Sequence, residues 1–146
     1  MFQIIHNTVT RFLTQATVAN VLFLISRVLI AYIFVMAGVN KLGVGYEGTA
    51  QYMASMGVSS FLLPLTIALE VGGGVALILG WQTRAIALLL AGFSVVTGII
   101  FHGGSADQIQ QIMLMKNISM AGGLLVLALT GAGRLSLDRK LYGDGV

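Results

Sequence analysis

The feature that most constrains this sequence is the stretch 62–80, which is 19 residues long, almost wholly apolar, and carries one charge, Glu70, near its centre. As a helix it would be about 28 Å long, close to the thickness of the hydrocarbon core of a bilayer. A lone carboxylate at mid-depth costs roughly 2.5–3.5 kcal/mol, so Glu70 is expected to have a partner inside the protein. The stretch therefore predicts a membrane-spanning helix with an internal polar contact.

The composition points to an integral membrane protein. Hydrophobic residues make up 57% of the 146 residues and charged residues 9%, whereas a soluble domain has about 25% charged residues. The net charge of +3 is small and scattered, so no nucleic-acid partner is expected. The chain has no cysteine, which excludes thiol redox chemistry and cysteine-ligated iron–sulfur clusters. We expect the lipid bilayer to be its main partner.

The hydropathy pattern predicts an all-α fold, an integral membrane four-helix bundle with short amphipathic interfacial helices. The expected parts are an interfacial segment 1–19, a four-span domain 20–140 with spans at about 21–39, 62–80, 85–101 and 112–130, and a polar tail 141–146. In the first segment Phe2, Ile5, Val9 and Phe12 share one helical face, which is typical of a helix lying in the membrane interface.

Charge predicts the orientation of this bundle. Four spans place both termini on one side of the membrane, and the basic residues expected on that side are Arg11, Arg84, Arg134, Arg139 and Lys140. The loops of the opposite side carry Lys41 alone. Because basic residues accumulate in cytoplasmic segments, we expect the N- and C-termini in the cytoplasm.

The charges within the spans suggest a partner for Glu70. Counted along each helix from its cytoplasmic end, Glu70 lies about 15 Å deep, Arg27 about 9 Å and Lys116 about 21 Å. Long basic side chains can close such gaps. Arg27 is the preferred partner, because a guanidinium pairs with a carboxylate through two hydrogen bonds.

The basic residues outnumber this single acid, so the interior would hold spare positive charge. A lipid phosphate, another anion or the carbonyl oxygens of a quinone could compensate it, and His102 could exchange protons with such a ligand. The predicted ligand-binding or buried polar centre consists of Arg27, Glu70, Lys116, Asn117, Lys41 and His102.

A structural interpretation of these residues stays open. Arg27 and Glu70 could form a clamp that holds two helices in register. Lys116 and Lys41 could extend to the outer interface, and His102 could be an ordinary interfacial loop residue. No metal site is predicted, since His6 and His102 fall on opposite sides of the membrane. No catalytic residue is predicted, since serine, histidine and acid do not assemble at one depth. A self-contained enzyme is therefore not expected.

Several motifs, taken in order, resemble the DoxX family of small four-helix bacterial inner-membrane proteins. The matching positions are 27–30, 34–42, Gly48-Thr49, Tyr52-Met53, Gly57, 68–73, Gly80, Thr83-Arg84, Phe101-His102, Lys116-Asn117-Ile118 and 131–138. The resemblance covers roughly residues 20–140. Two departures are Val58-Ser59, where a small residue and proline are usual, and Asn40, where an acidic residue is common before the lysine.

The resemblance implies a location in the bacterial inner membrane and a link to quinones. The family takes its name from an archaeal subunit associated with quinol oxidase and thiosulfate:quinone oxidoreductase activity, and other members are linked to membrane-bound oxidative-stress assemblies. These links make quinone a candidate ligand and the subunits of a membrane oxidoreductase candidate partners, with a homo-oligomer as the alternative.

Three functions remain open at this point. The first is a quinone-binding or quinone-linked redox accessory protein without a redox centre of its own. The second is a structural or assembly component of a membrane complex. The third, ranked last, is a small proton-coupled transporter that uses Glu70, for which four spans leave little room unless the chain forms a homo-oligomer.

Overall fold

The long apolar runs fold into four membrane-length helices in the computed structural model, which describes residues 1–143. Residues 144–146, the end of the expected tail 141–146, lie outside this part. The helices are α1 (Phe2–Leu13), α2 (Ala16–Asn40), α3 (Val44–Ser55), α4 (Ser60–Leu79), α5 (Thr83–His102), α6 (Gln108–Thr130) and α7 (Leu137–Tyr142). The prediction of an all-α membrane bundle is confirmed, with α2, α4, α5 and α6 as the spanning helices.

Helix α4 is continuous but not uniform. It begins with a 3₁₀ turn, Ser60–Leu62, which Ser59 caps by accepting a hydrogen bond from Phe61 N. At its centre one wider π turn, Ala68–Gly72, interrupts the α-helical hydrogen bonding. The helix ends at Leu79, where Gly80 takes a left-handed conformation (φ 68°) that glycine adopts without steric cost.

Helices α5 and α6 form an antiparallel hairpin that packs against α2 and α4. The buried apolar core has small residues between larger ones: Ala31, Phe34, Leu77, Ala87, Leu90, Ala91, Ala121, Leu124 and Leu127. Many large apolar side chains point outward instead, for example Leu29 and Leu129, which are 69% and 78% exposed. An outward apolar surface on every spanning helix is what a bundle surrounded by lipid requires.

The two ends of the bundle are closed by different elements. The terminal side, which we define as the end that holds Gly80 and Thr83, is covered by the C-terminal segment 131–142. Helix α2 begins at Ala16, earlier than the expected residue 21, and its first turns give the C-terminal segment a surface: Gly133 packs against Phe23. The opposite side, which holds Lys41 and His102, is covered by α3.

Helix α1 has no buried residue, and its apolar face is exposed along its whole length. Arg11 lies in its last turn. This arrangement leaves the helix free to lie on a lipid surface, and its interfacial position stays a prediction.

Candidate functional site

The site is positioned by a close approach of α2 and α4. A Cβ atom on Gly38 would lie 3.0 Å from the Cβ of Glu70 and 3.1 Å from the backbone nitrogen of Val71. One helical repeat away, a Cβ on Gly74 would lie 3.2 Å from the backbone nitrogen of Val35. Because glycine allows the two backbones to come this near, the side chain at position 41 reaches the centre of α4.

Glu70 lies in the π turn and pairs with Lys41. Both carboxylate oxygens accept from Lys41 Nζ, at 2.9 and 2.8 Å, and the same ammonium donates to the carbonyl oxygen of Ala37 at 3.1 Å. The side chain of Glu70 is 7% exposed and that of Lys41 is 22% exposed. With three acceptors around it, the ammonium has no N–H left for a ligand.

A cavity of about 470 Å³ lies beside this ion pair. Its polar lining includes Lys41, Tyr52, Glu70, His102, Lys116 and Asn117, and the rest of its wall is mostly apolar, including Phe34, Leu69, Phe93 and Met120. Leu65 of α4 and Val96 of α5 line it while remaining 67% and 54% exposed. The cavity therefore opens sideways, between these two helices, toward the surrounding lipid.

His102 closes the cavity at the opposite side from the termini. Its Nδ1 lies 2.6 Å from Gln110 Oε1, which ties the end of α5 to the start of α6. The preceding residue, Phe101, stacks on Tyr52 of α3 with the ring centroids 5.5 Å apart. These contacts fix His102 between the cavity and the exposed loop at residues 103–107.

Lys116 and Asn117 project from α6 into the same cavity. Asn117 Nδ2 donates to the carbonyl oxygen of Met113 at 2.9 Å, which leaves its Oδ1 without a donor among residues 1–143. The Nζ atom of Lys116 contacts the thioether sulfur of Met113 at 3.3 Å. Lys116 is an exposed residue on the border of the cavity, and within the described chain no carboxylate lies within 4.0 Å of its ammonium.

Arg27 does not belong to this group, and the prediction that it pairs with Glu70 is wrong. It is fully buried on the terminal side, where Nη2 donates to the carbonyl oxygen of Leu135. Its guanidinium also fills the space where a Cβ of Gly80 would lie. Gly38, eleven residues further along α2, is the residue level with Glu70, which separates the levels of the two charges by about 16 Å.

The error came from treating the helix ends as level. Helix α2 extends past the end of α4, so a depth counted from one helix does not transfer to the other. Five of the six predicted residues do meet in one cavity, and Arg27 is the exception.

The sequence reasoning also missed the role of Asp138. Its two carboxylate oxygens accept from the backbone nitrogens of Gln82 and Thr83, at 2.7 and 2.9 Å, and cap the first turn of α5. Its own backbone nitrogen donates to the carbonyl oxygen of Gly80 at 2.8 Å. The only available signal was its place in the family-like motif at 131–138, which gave no partner.

Taken together, the cavity can bind an amphiphilic molecule. It offers an ammonium, an amide oxygen and an imidazole in a lining that is otherwise mostly apolar and that opens toward lipid. No group of three His, Cys, Asp or Glu residues that could hold a metal ion is found in residues 1–143.

Comparisons with known proteins place the chain among bacterial membrane proteins. The sequence model of the DoxX family matches residues 22–103. The inner membrane protein YqjF of Escherichia coli K12 is 48% identical over 118 residues, covering 81% of this chain and 90% of the relative. The inner membrane protein YphA of the same organism is 39% identical over 127 residues, covering 82% and 90%.

A more distant relative has a name that suggests chemistry. The putative oxidoreductase CatD of Bacillus subtilis 168 is 33% identical over 126 residues, covering 82% of this chain and 86% of the relative. No solved structure is significantly similar to the chain.

Proposed function

This chain belongs to the DoxX family, and we propose that it binds a lipid-soluble quinone in its cavity as an accessory subunit of a membrane oxidoreductase. It is a multi-pass protein of the bacterial inner membrane, where quinones are dissolved in the lipid. The observation that carries the proposal is a mostly apolar cavity with a few polar groups in its lining and a side opening to lipid.

The size and shape of the cavity suit this ligand. Pockets for small molecules and cofactors are typically 300–1,000 Å³ and mostly apolar, with few polar groups that fix orientation. A quinone ring would lie among Leu69, Phe93 and Met120, and its isoprenoid tail would leave the protein between Leu65 and Val96. A quinone could therefore enter from the bilayer without passing through water.

Polar side chains of the lining would orient the ring. The ammonium of Lys116 can donate to a carbonyl oxygen, and His102 can donate or accept through Nε2, since its Nδ1 faces Gln110. The Lys41–Glu70 pair forms one wall and offers carboxylate lone pairs there. A bound quinone would supply the capacity to carry electrons and protons between a partner and the membrane pool.

An accessory role follows from what the chain lacks. It has no cysteine, and His102 is the one histidine of the cavity lining, so iron–sulfur or bis-histidine haem ligation would need another subunit. The electrons would come from a partner protein with its own redox centre. The name of CatD, a putative oxidoreductase, is consistent with such an assembly.

Native mass spectrometry of the protein extracted in native-lipid particles tests the proposal. Wild-type protein should retain a quinone, and Ala37→Phe, which places a ring in the cavity, should lose it. Ala85→Phe makes the same change at an exposed position near the terminal side and should keep the quinone. Equal retention in both variants, or no quinone in the wild type, would overturn the proposal.

One observation favours a structural or assembly function as the second candidate. The Lys41–Glu70 pair satisfies itself and ties α2 to α4, as a purely structural clamp would. In that case the same particles would contain stoichiometric partner subunits and no quinone.

A further inference from the structure

We propose that the cavity selects head groups that carry a negative charge, with Lys116 as the counter-ion. This inference rests on the proposed function and narrows its substrate class to quinones with an ionised ring hydroxyl.

The charges at the cavity do not cancel. The four titratable groups of the lining, apart from tyrosine, are Lys41, Glu70, His102 and Lys116. Lys41 and Glu70 neutralise each other at 2.8 Å, and His102 is held by the uncharged side chain of Gln110. Apart from His102, one charged group remains without a partner of opposite charge, and it is Lys116.

Lys116 also lacks an adequate uncharged partner. Within residues 1–143 its Nζ has one hydrogen-bonding contact, the Met113 sulfur, and a thioether is a weak acceptor. The residue lies about 12 Å along α6 from the first residue of that helix, Gln108. Lys116 is exposed at this depth of the spanning helix, where an ammonium is costly unless water or an anion reaches it.

Asn117 adds a second recognition element beside this charge. Its side chain packs against Gly98 of α5, and its amide nitrogen is bound to its own helix, so the free Oδ1 is held in place. An anionic oxygen on the ligand would pair with Lys116, while a hydroxyl or amide proton on the same head group would meet Asn117.

Two other lipids share the charge chemistry of an ionised hydroxyquinone. A fatty acid carries a carboxylate, and an acidic phospholipid carries a phosphate, each on an apolar tail. All three head groups would pair with Lys116. Only the hydroxyquinone has a flat ring that would pack in the apolar space beside Phe93.

A matched pair of ligands tests the inference on the whole protein in zwitterionic phosphatidylcholine nanodiscs. The probes are 2-hydroxy-1,4-naphthoquinone and 2-methyl-1,4-naphthoquinone with the same 3-alkyl chain. The first is an anion at neutral pH because its hydroxyl is a vinylogous acid. We expect it to bind about 10- to 100-fold more tightly, the range for a charge-assisted hydrogen bond.

Variants assign this preference to one side chain. Lys116→Gln should bind the two naphthoquinones equally, and Lys116→Arg should keep the preference. Lys140→Gln removes the same charge from an exposed site on the terminal side and should behave like wild type. If Lys116→Gln fails to fold, two other measurements provide the same test. Lys116→Arg should keep the preference for the anionic probe, and phosphatidylglycerol added to the nanodiscs should weaken binding of that probe.

The outcomes separate this inference from the proposed function. Equal binding of both naphthoquinones by the wild type would overturn the charge preference and leave quinone binding intact. Lys116-dependent binding of a fatty acid without either naphthoquinone would support the charge preference and overturn the quinone proposal. A protein that binds none of these probes would overturn both.

Discussion

At the scale of single residues, one ion pair joins the two halves of the site. Lys41 ends α2 and Glu70 lies in the middle of α4, and three hydrogen bonds hold the ammonium between Glu70 and Ala37. A carboxylate in a spanning helix is tolerated because this ammonium reaches it. Lys41 is therefore the internal partner that Glu70 of the stretch 62–80 was expected to have.

A double-mutant cycle measures this contact. Combining Lys41→Gln with Glu70→Gln should give a coupling energy of about 1–3 kcal/mol, as for residues in direct contact. Unfolding in mixed micelles provides the free energies. The control pairs Arg27→Gln with Glu70→Gln and should give a coupling near zero, because Arg27 contacts Leu135 instead. A large coupling to Arg27 would contradict the assignment.

Asp138 supports a second residue-scale prediction. Asp138→Ala removes two hydrogen bonds at the start of α5 and leaves the backbone donor of Thr83 buried and that of Gln82 partly buried. We expect a loss of about 1–3 kcal/mol in the free energy of unfolding.

The matched control for this change is Asp107→Ala. That exposed residue caps α6 through a single bond to Gln110 N, so the loss should be smaller, about 1 kcal/mol. Equal losses of unfolding free energy in the two variants would show that Asp138 of the C-terminal segment stabilises the protein no more than an ordinary helix cap does.

The residue-scale contacts were the hardest to predict from sequence. Hydropathy and charge identified Lys41, Glu70 and Lys116 as unusual, because charges in apolar runs need an explanation. They could not say which basic residue meets Glu70, since that depends on the axial offset of two helices. The partners of Asp138 are more than 50 residues away along the chain, and no local pattern encodes them.

At the scale of elements, the packing of α2 on α4 depends on glycine. The π turn at Ala68–Gly72 and the contact at Gly38 occur at the same level, so a change in one element would displace the other. The helices themselves were predictable from the length of each apolar run. The π turn was not, because its wider turn arises from packing and has no compositional signature.

Gly38→Ala tests this close approach. The added methyl group would overlap the side chain of Val71 and crowd Glu70, so we expect about 1–3 kcal/mol of destabilisation in the same unfolding assay. Gly92→Ala is the control, since no heavy atom would lie within 4 Å of its Cβ. It should be neutral or slightly stabilising, because alanine favours a helix. Equal effects would contradict the contact.

At the scale of the whole molecule, the orientation in the membrane remains a prediction. The basic residues of the terminal side outnumber those of the opposite side, where Lys41 is already paired with Glu70. Because Glu70 neutralises Lys41, this residue adds no net positive charge to the loops of the opposite side. The difference in positive charge between the two sides is therefore larger. The positive-inside rule then places both termini in the cytoplasm.

The absence of cysteine in the sequence makes orientation easy to measure. Single cysteines at Gln3, Ser105 and Lys140 occupy exposed positions and can be labelled with a membrane-impermeant maleimide. In intact spheroplasts Ser105→Cys should react, and the other two should react only after lysis. The reverse pattern would contradict the charge argument, and opposite behaviour of Gln3→Cys and Lys140→Cys would contradict four spans.

The central claim is that the cavity beside the Lys41–Glu70 pair binds a quinone, and photo-crosslinking tests it most directly. An azido-naphthoquinone should label the lining of the cavity at residues such as Leu69, Phe93 and Met120. The labelling should fall when unlabelled quinone is added and in Ala37→Phe. Labelling confined to outward residues such as Leu89 and Val126, unchanged by competitor or by Ala37→Phe, would contradict the account.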